Sequence, residues 1–215
     1  MESRFLNLLY PPKCVLCSRP LTDEQTDLCH DCRQSVKDFT FAKNNIPFVA
    51  RWSALWYYSD NVRYSILRYK FYHKRSFARC YGRLLAMKLS REMDSFDVLS
   101  WIPIATLRKW RRGYDQVELI AKVIAQELGI PLVPTLRKIR NTPPQSGLAG
   151  LSRRRANVLG AYKPINISQF EGKRVLLLDD IVTTGATASE CARTLLTAHA
   201  KEVSLLVVAS AVNEK

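Results

Sequence analysis

The chain has 215 residues and a formal net charge of +14 at pH 7, with a sequence pI near 9.7. No apolar run approaches the ~20 residues that a membrane-spanning helix needs, and the start, MESRFLNLLYPP, is too short and too polar for a secretory signal. We therefore expect a cytoplasmic protein without a transmembrane segment. The charge favours a polyanionic partner, such as a nucleic acid, an anionic lipid or a phosphorylated substrate, although a merely basic soluble enzyme would show the same excess.

Two CxxC pairs, Cys14 with Cys17 and Cys29 with Cys32, lie near the start of the chain. Each pair forms a turn that aims two thiolates at one point, and four thiolates complete a closed tetrahedral zinc site. A redox dithiol and incidental cysteines are the alternatives. Because so short a segment cannot build its own core, bound zinc would supply the free energy that folds it.

Beyond a linker at residues 39–47, short apolar runs alternate with segments of helical periodicity. The predicted elements are a strand over 50–58, a helix from about 62 to 70, a helix over 77–93, a strand over 98–104, a helix over 115–128, an extended piece from 130, strands over 158–162 and 175–178, a helix over 188–198 and a strand over 203–209. Strands that alternate with helices predict an α/β domain with a mostly parallel sheet flanked by helices. We assign residues 48–215 to this domain and residues 1–38 to a small zinc-ribbon module.

Aromatic and basic residues are interleaved in the first part of the larger domain. Residues 48–81 hold 11 of the 21 aromatics, and residues 51–83 hold eight Lys or Arg against one acid, Asp60. Rings that stack on bases beside cations that track phosphates are typical of single-strand-binding grooves. For Trp52, Leu55 and Trp56 a core position is the favoured interpretation, because alternation on a strand suffices to explain them. The residues that need not be core are Arg68, Lys70, Tyr72, His73, Lys74 and Arg75.

Two further basic segments follow. Residues 108–116 come directly after the strand over 98–104, and residues 137–155 form a run without an acid that contains the Pro/Gly-rich loop 141–147. Long loops in compact domains are usually functional lids or disordered segments. A basic lid over a phosphate pocket would exclude water and neutralise charge.

The most informative motif spans residues 175–187. Four aliphatic residues end in the acidic pair Asp179 and Asp180, and a Thr/Gly turn then leads into a helix. Ligands of open α/β sheets bind beyond the carboxyl ends of strands, and a turn feeding a helix N-terminus suits a phosphate. The two carboxylates suit the vicinal hydroxyls of a ribose. The alternative is a surface strand-turn-helix that merely carries acids.

This motif resembles the PRPP loop of type I phosphoribosyltransferases. The resemblance implies that Asp179 and Asp180 hold the ribose hydroxyls, and that the 5-phosphate lies on the turn formed by Thr183, Thr184, Gly185, Ala186 and Thr187. Thr183 stands where purine-salvage members carry an acid that assists at the base. The sequence therefore supports binding of a phosphoribosyl group better than its transfer to a purine.

Taken in order, several segments resemble the ComF family of competence proteins. They are the CxxC pairs, Leu67–Lys70, Trp101–Ile104, Arg112–Gln116, Asn141–Gln145, Arg154 with Asn157, and Asp179–Thr187. The resemblance implies a DNA-uptake factor of natural transformation that handles incoming single-stranded DNA and binds PRPP with Mg²⁺. We take Lys70, Arg112 and Arg154 as candidate contacts to pyrophosphate or nucleic acid. A DNA-uptake helicase or recombination factor would fit the resemblance as a partner. The alternative is an active phosphoribosyltransferase with an unidentified acceptor; no catalytic residue is assigned.

Overall fold

The computed structural model describes residues 11–22, 24–39, 46–72, 74–92, 96–140 and 158–211. His73, Arg154, Asn157 and the loop at 141–147 lie outside these residues. In chain order the elements are α1 (His30–Ser35), β1 (Trp52–Tyr57), α2 (Asp60–Phe71), α3 (Phe77–Glu92), β2 (Val98–Trp101), α4 (Thr106–Arg112), α5 (Gln116–Leu128), β3 (Leu136–Lys138), β4 (Tyr162–Pro164), a 3₁₀ helix (Ile167–Gln169), β5 (Arg174–Val182), α6 (Ala186–Thr197) and β6 (Glu202–Ser210). Among these helices, none has both the length and the apolar character that crossing a membrane requires.

Four parallel strands form the central sheet, in the order β1–β6–β5–β2. The two middle strands, β5 and β6, are buried along most of their length. Parallel strands covered on both faces show continuous apolar runs rather than alternation, which explains the stretches Val175–Leu178 and Leu205–Ala209. The predicted α/β fold with a mostly parallel sheet flanked by helices is confirmed.

The side chains of β5 alternate between two cores, one on each face of the sheet. Leu176 and Leu178 pack with α2, α3 and α5, whereas Val175 and Leu177 pack with α6 on the other face. The sheet is therefore the middle of three layers. Its carboxyl edge is the place where an open α/β sheet binds ligands.

A second sheet pairs β3 with β4 in antiparallel orientation and lies against α6. The strand predicted over 158–162 is wrong, because pairing begins only at Tyr162. Gly160 has a φ of +64° and makes a turn, and its N–H donates to the Glu190 carboxylate on α6 at 2.8 Å. Val158 and Ala161 are buried in this turn, so the apolar run reflects packing rather than strand pairing.

Helix α4 has no counterpart among the predicted elements. None of its residues is buried, so its sequence, TLRKWRR, lacks the apolar periodicity that marks an amphipathic helix. Gly113 ends the helix in the left-handed region with a φ of +72°. Because α4 follows β2 closely, its cations lie at the carboxyl edge of the sheet, as the sequence predicts.

The cysteine-rich segment shares a core with α2 and α3. Val15 and Leu16 are buried in the same cluster as Tyr69 and Tyr81. Asp27, itself buried, forms an ion pair with Arg83 on α3. The boundaries 1–38 and 48–215 stay predictions.

Candidate functional site

The acidic pair lies on β5, where strand geometry separates the two side chains. Successive residues of a strand point to opposite faces of the sheet. Asp180 faces α2 and α5, where it contacts Lys70 and Gln116. Asp179 faces the other layer and interacts electrostatically with Lys138 on β3. A group bound over this strand end would therefore have one carboxyl on each side.

Asp180 is the centre of a polar network. The Lys70 ammonium lies 2.7 Å from Asp180 Oδ2, and Gln116 Nε2 donates to the same oxygen at 3.0 Å. Arg112 in turn donates to Gln116 Oε1 at 2.9 Å. The structure thus brings Lys70 and Arg112 together at the acidic pair, while Arg154 lies outside the described residues.

The network sets the ionisation of the pair. Although burial raises the pKa of Asp180, the charge and hydrogen bond of Lys70 outweigh it and hold that pKa below the usual value. Burial and the charge of Asp180 raise the pKa of Asp179 to about 8, and Asp179 Oδ1 accepts a hydrogen bond from the Asp180 N–H at 2.8 Å. Two neighbouring carboxyls with pKa values driven apart carry close to one negative charge at neutral pH.

The Thr/Gly turn follows β5 directly and leads into α6. Gly185 has a φ of +72°, and a Cβ at this position would lie 2.9 Å from Ile46 Cγ1, so only glycine fits the turn. Thr184 Oγ1 accepts a hydrogen bond from the Ala186 N–H at 3.5 Å. Thr183 is exposed and Thr187 is half-buried. The predicted phosphate site therefore combines a sharp turn with the N-terminus of a twelve-residue helix.

Near the acidic pair, the end of α2, the segment after it and α4 carry aromatic and basic residues, which we group as the aromatic–basic surface: Phe71, Tyr72, Arg75, Trp110 and Arg112. The side chains of Phe71, Tyr72 and Trp110 are 58%, 69% and 82% exposed. The Arg112 guanidinium lies 4.9 Å from the centre of the Phe71 ring, which joins this surface to the network at Asp180. Of the aromatic stretch, Trp52 and Trp56 are buried with Leu55, which confirms their core role.

The four cysteines of the CxxC pairs converge on one point. The sulfur atoms of Cys14, Cys17, Cys29 and Cys32 all lie within 4.8 Å of one another, and Cys17 Sγ is 3.7 Å from Cys29 Sγ. Zn–S bonds of about 2.3 Å in a tetrahedron place sulfurs ~3.8 Å apart, so this cluster fits zinc. His30 is exposed, and its ring contacts the Gln34 side chain.

Arg19 supports the cysteine cluster from outside. Its guanidinium donates to Cys17 Sγ at 3.4 Å and to Cys29 Sγ at 3.6 Å, and it pairs with Asp31 at 2.6 Å. Four thiolates around a divalent ion leave a net negative charge, which a nearby guanidinium offsets. This role of Arg19 is not predicted from the sequence, although an arginine two residues after a CxxC pair is a signal that could have suggested it.

Other contacts of the site were also not predicted from the sequence. Gln116 ties Asp180 to Arg112, and Ile46 fills the space under Gly185, although it lies in the predicted linker. Lys138 has its ammonium 5.2 Å from the centre of the Tyr162 ring, and burial lowers its pKa. Gln116 and Lys138 lie in segments that the sequence singles out, 108–116 and 137–155, but their contacts join residues distant in sequence, which no local pattern predicts.

Comparisons with known proteins agree with this geometry. Residues 117–215 match the model of the phosphoribosyl transferase domain, and residues 5–43 match that of the double zinc ribbon domain. Competence protein F of Haemophilus influenzae is 25% identical, in an alignment that covers 93% of this chain and 97% of that protein. Over nearly its whole length, the chain is therefore similar to competence proteins of the ComF family.

Further relatives carry related names. Competence protein ComFC of Bacillus subtilis is 26% identical over 85% of this chain and 71% of its own length. The DNA utilization protein YhgH of Salmonella typhimurium is 26% identical over 88% of this chain and 92% of its own. The resemblance to competence proteins and the zinc-ribbon module predicted from the sequence are thus confirmed. The ribbon match together with the cysteine cluster supports structural zinc.

Proposed function

We propose that this protein handles single-stranded DNA in the cytoplasm during natural transformation and binds PRPP at Asp179, Asp180 and the Thr/Gly turn. The observation that carries the proposal is the junction at Arg112. This side chain hydrogen-bonds the network that holds Asp180 and also stacks on the exposed Phe71 ring. A sugar-phosphate pocket and an aromatic–basic surface therefore meet at one residue. The names of the competence and DNA utilization relatives support a role in DNA uptake.

The pocket offers groups for each part of PRPP. The carboxyls of Asp179 and Asp180 accept the ribose hydroxyls, and the turn at Gly185 with the first amides of α6 takes the 5-phosphate. Lys70 and Arg112 lie close enough to the pair to reach the pyrophosphate, with Arg154 as a further candidate. Mg²⁺, bound to the hard oxygens of the pyrophosphate, would supply charge neutralisation.

The aromatic–basic surface suits a single strand of nucleic acid. Exposed rings such as Trp110 stack on bases, each contributing about 1–3 kcal/mol, while cations such as Arg75 follow the phosphates. The net charge of +14 adds sequence-independent attraction that weakens with salt. A DNA-uptake helicase or recombination factor is the proposed protein partner.

Titration calorimetry tests the proposal. The zinc-loaded protein is titrated with PRPP and Mg²⁺, with and without single-stranded DNA, and compared with the variant Asp179→Asn/Asp180→Asn. We expect PRPP binding to the wild type, no binding to the double variant, and circular dichroism that is unchanged by the substitutions. Equal PRPP affinity in the double variant would refute the pocket, and no affinity for oligonucleotides at low salt would refute DNA handling.

An active phosphoribosyltransferase is the second candidate. The observation in its favour is that Lys70 keeps Asp180 ionised beside the phosphate turn, as a site that stabilises a developing positive charge on the ribose would require. Thr183 supplies no acid at the acceptor side. Release of pyrophosphate from PRPP, followed across a panel of bases, amines and nucleic acids, tests this candidate. If PRPP is never consumed, the domain binds without catalysing transfer.

A further inference from the structure

We infer that the cysteine-rich module is part of the phosphoribosyl site, because it holds helix α2 in the position that presents Lys70 to Asp180, with Arg68 as the positioning residue. The inference rests on the proposed function of Asp180 in binding PRPP. The zinc ribbon would then support small-molecule binding, although none of its side chains among the described residues contacts the acidic pair.

The first step is the contact between α2 and the turn of the first CxxC pair. Arg68 donates to the Leu16 carbonyl, and Ser65 donates to the Val15 carbonyl. Both carbonyls lie between Cys14 and Cys17, and both residues that supply them are almost completely buried. The backbone path of these residues depends on the two flanking cysteines, so zinc held by those cysteines would fix the acceptors of both hydrogen bonds.

The second step is the contact between the end of α2 and the acidic pair. Lys70 lies in the last turn of the helix, which ends at Phe71, and last turns of helices fray when nothing holds them. Tyr69 Oη donates to the Gln116 carbonyl at 2.6 Å, and Tyr114 Oη donates to the Tyr69 carbonyl at 2.7 Å. The turn that carries Lys70 is therefore held by α5 on one side and by the cysteine-rich module on the other.

The two steps are joined by one turn of helix. Arg68 and Lys70 are two residues apart, about 3 Å along the helix axis. Because so short a helical segment is rigid, a displacement of Arg68 also displaces Lys70. Arg83, which pairs with Asp27, ties the module to α3 instead. Of the contacts between the module and the larger domain, those of Ser65 and Arg68 are made by the helix that also carries Lys70.

The test compares four variants of the full, zinc-loaded chain. Arg68→Met removes the donor to Leu16 and keeps the apolar stem, and Arg68→Lys keeps a donor. Arg63→Met makes the same change at an exposed position of the same helix, as the matched control. Ser65→Ala is a milder change at the neighbouring contact, for use if Arg68→Met does not fold. For each we measure zinc content, the Kd of PRPP with Mg²⁺, and amide hydrogen exchange of residues 69–72 without ligand.

We expect Arg68→Met to retain zinc, to exchange faster at residues 69–72 and to bind PRPP about 3- to 30-fold more weakly. Arg68→Lys should recover most of both effects, and Arg63→Met should match the wild type. If Arg68→Met and Arg63→Met agree in exchange and in Kd, the inference is overturned. If the wild type does not bind PRPP, the proposed function fails, but exchange at residues 69–72 still decides whether the module holds the Lys70 turn.

Discussion

Replacing Lys70 by methionine would leave the Asp180 carboxylate without its cation. Removing one partner of a fully buried ion pair costs roughly 3–5 kcal/mol. Here Lys70 is 17% and Asp180 12% exposed, so water screens part of the remaining charge. The hydrogen bond from Gln116 also survives. We therefore expect Lys70→Met to lower the free energy of unfolding by about 2–3 kcal/mol at pH 7.5.

The loss should depend on pH with a defined sign. The pKa of Asp180 is held below its usual value in the folded protein, so the pair stabilises the fold above about pH 4, the ordinary range of an aspartate. That stability is lost as the pH falls through the folded pKa. The difference between wild type and Lys70→Met should therefore stay near its full size from neutral pH down to about pH 4 and shrink only below that.

Urea denaturation of Lys70→Met, Asp180→Asn and the double variant at pH 7.5 and at pH 3 measures the coupling above and below this range. Lys122→Met is the matched control, since Lys122 pairs with Glu118 at 2.8 Å but is 57% exposed; we expect a loss below about 0.5 kcal/mol there. Two results would refute the reasoning. One is a loss in Lys70→Met no larger than in the control, and the other is an equal loss when Asp180 is already asparagine.

Four further predictions concern the turn, the metal, the pH and the DNA surface. Gly185→Ala should destabilise the protein by about 1–3 kcal/mol and weaken PRPP binding, because the left-handed φ disfavours alanine and its Cβ would meet Ile46; unchanged thermal melting would contradict this. Cys14→Ser should release the zinc, read by atomic absorption, and an intact one-to-one stoichiometry would exclude the four-cysteine site. PRPP affinity should rise as the pH increases through about 8, where Asp179 ionises, and a flat calorimetric profile from pH 6.5 to 9 would count against that pKa. Trp110→Ala should weaken single-stranded DNA binding about 5- to 100-fold in fluorescence anisotropy without changing the melting temperature, since this ring is 82% exposed. Wild-type affinity in this variant would show that Trp110 does not contribute to DNA binding.

The elements that could be predicted from the sequence are those with a local cause. The strand, acidic pair and turn at 175–187 are contiguous, so their place at the carboxyl edge follows from the motif itself. The CxxC spacing predicts a cysteine cluster for the same reason. Helix α4 was not predicted, because a helix that buries no side chain shows no apolar periodicity in its sequence. The strand predicted over 158–162 is wrong because the chain turns at Gly160 before strand pairing begins.

The surroundings of the acidic pair depend on contacts between distant segments, which no local pattern reveals. Gln116 reaches Asp180 because α5 packs on the face of the sheet that Asp180 shares. The alternation of the strand, which sends Asp179 to one layer and Asp180 to the other, follows from elementary geometry. The pKa values of Asp179 and Asp180, however, depend on which cations lie near each carboxyl. Those positions depend on how the helices pack against the sheet.

The position of Arg112 gives the proposed pocket and the proposed DNA surface a physical reason to influence each other. A pyrophosphate that draws this guanidinium toward Asp180 takes it from the Phe71 ring, and a DNA phosphate bound at the ring takes it from Gln116. Coupling free energies are reciprocal, so whatever factor DNA imposes on PRPP affinity, PRPP imposes on DNA affinity. Competition for a single cation makes that coupling negative. A protein built in this way would bind incoming DNA most tightly when its phosphoribosyl site is empty.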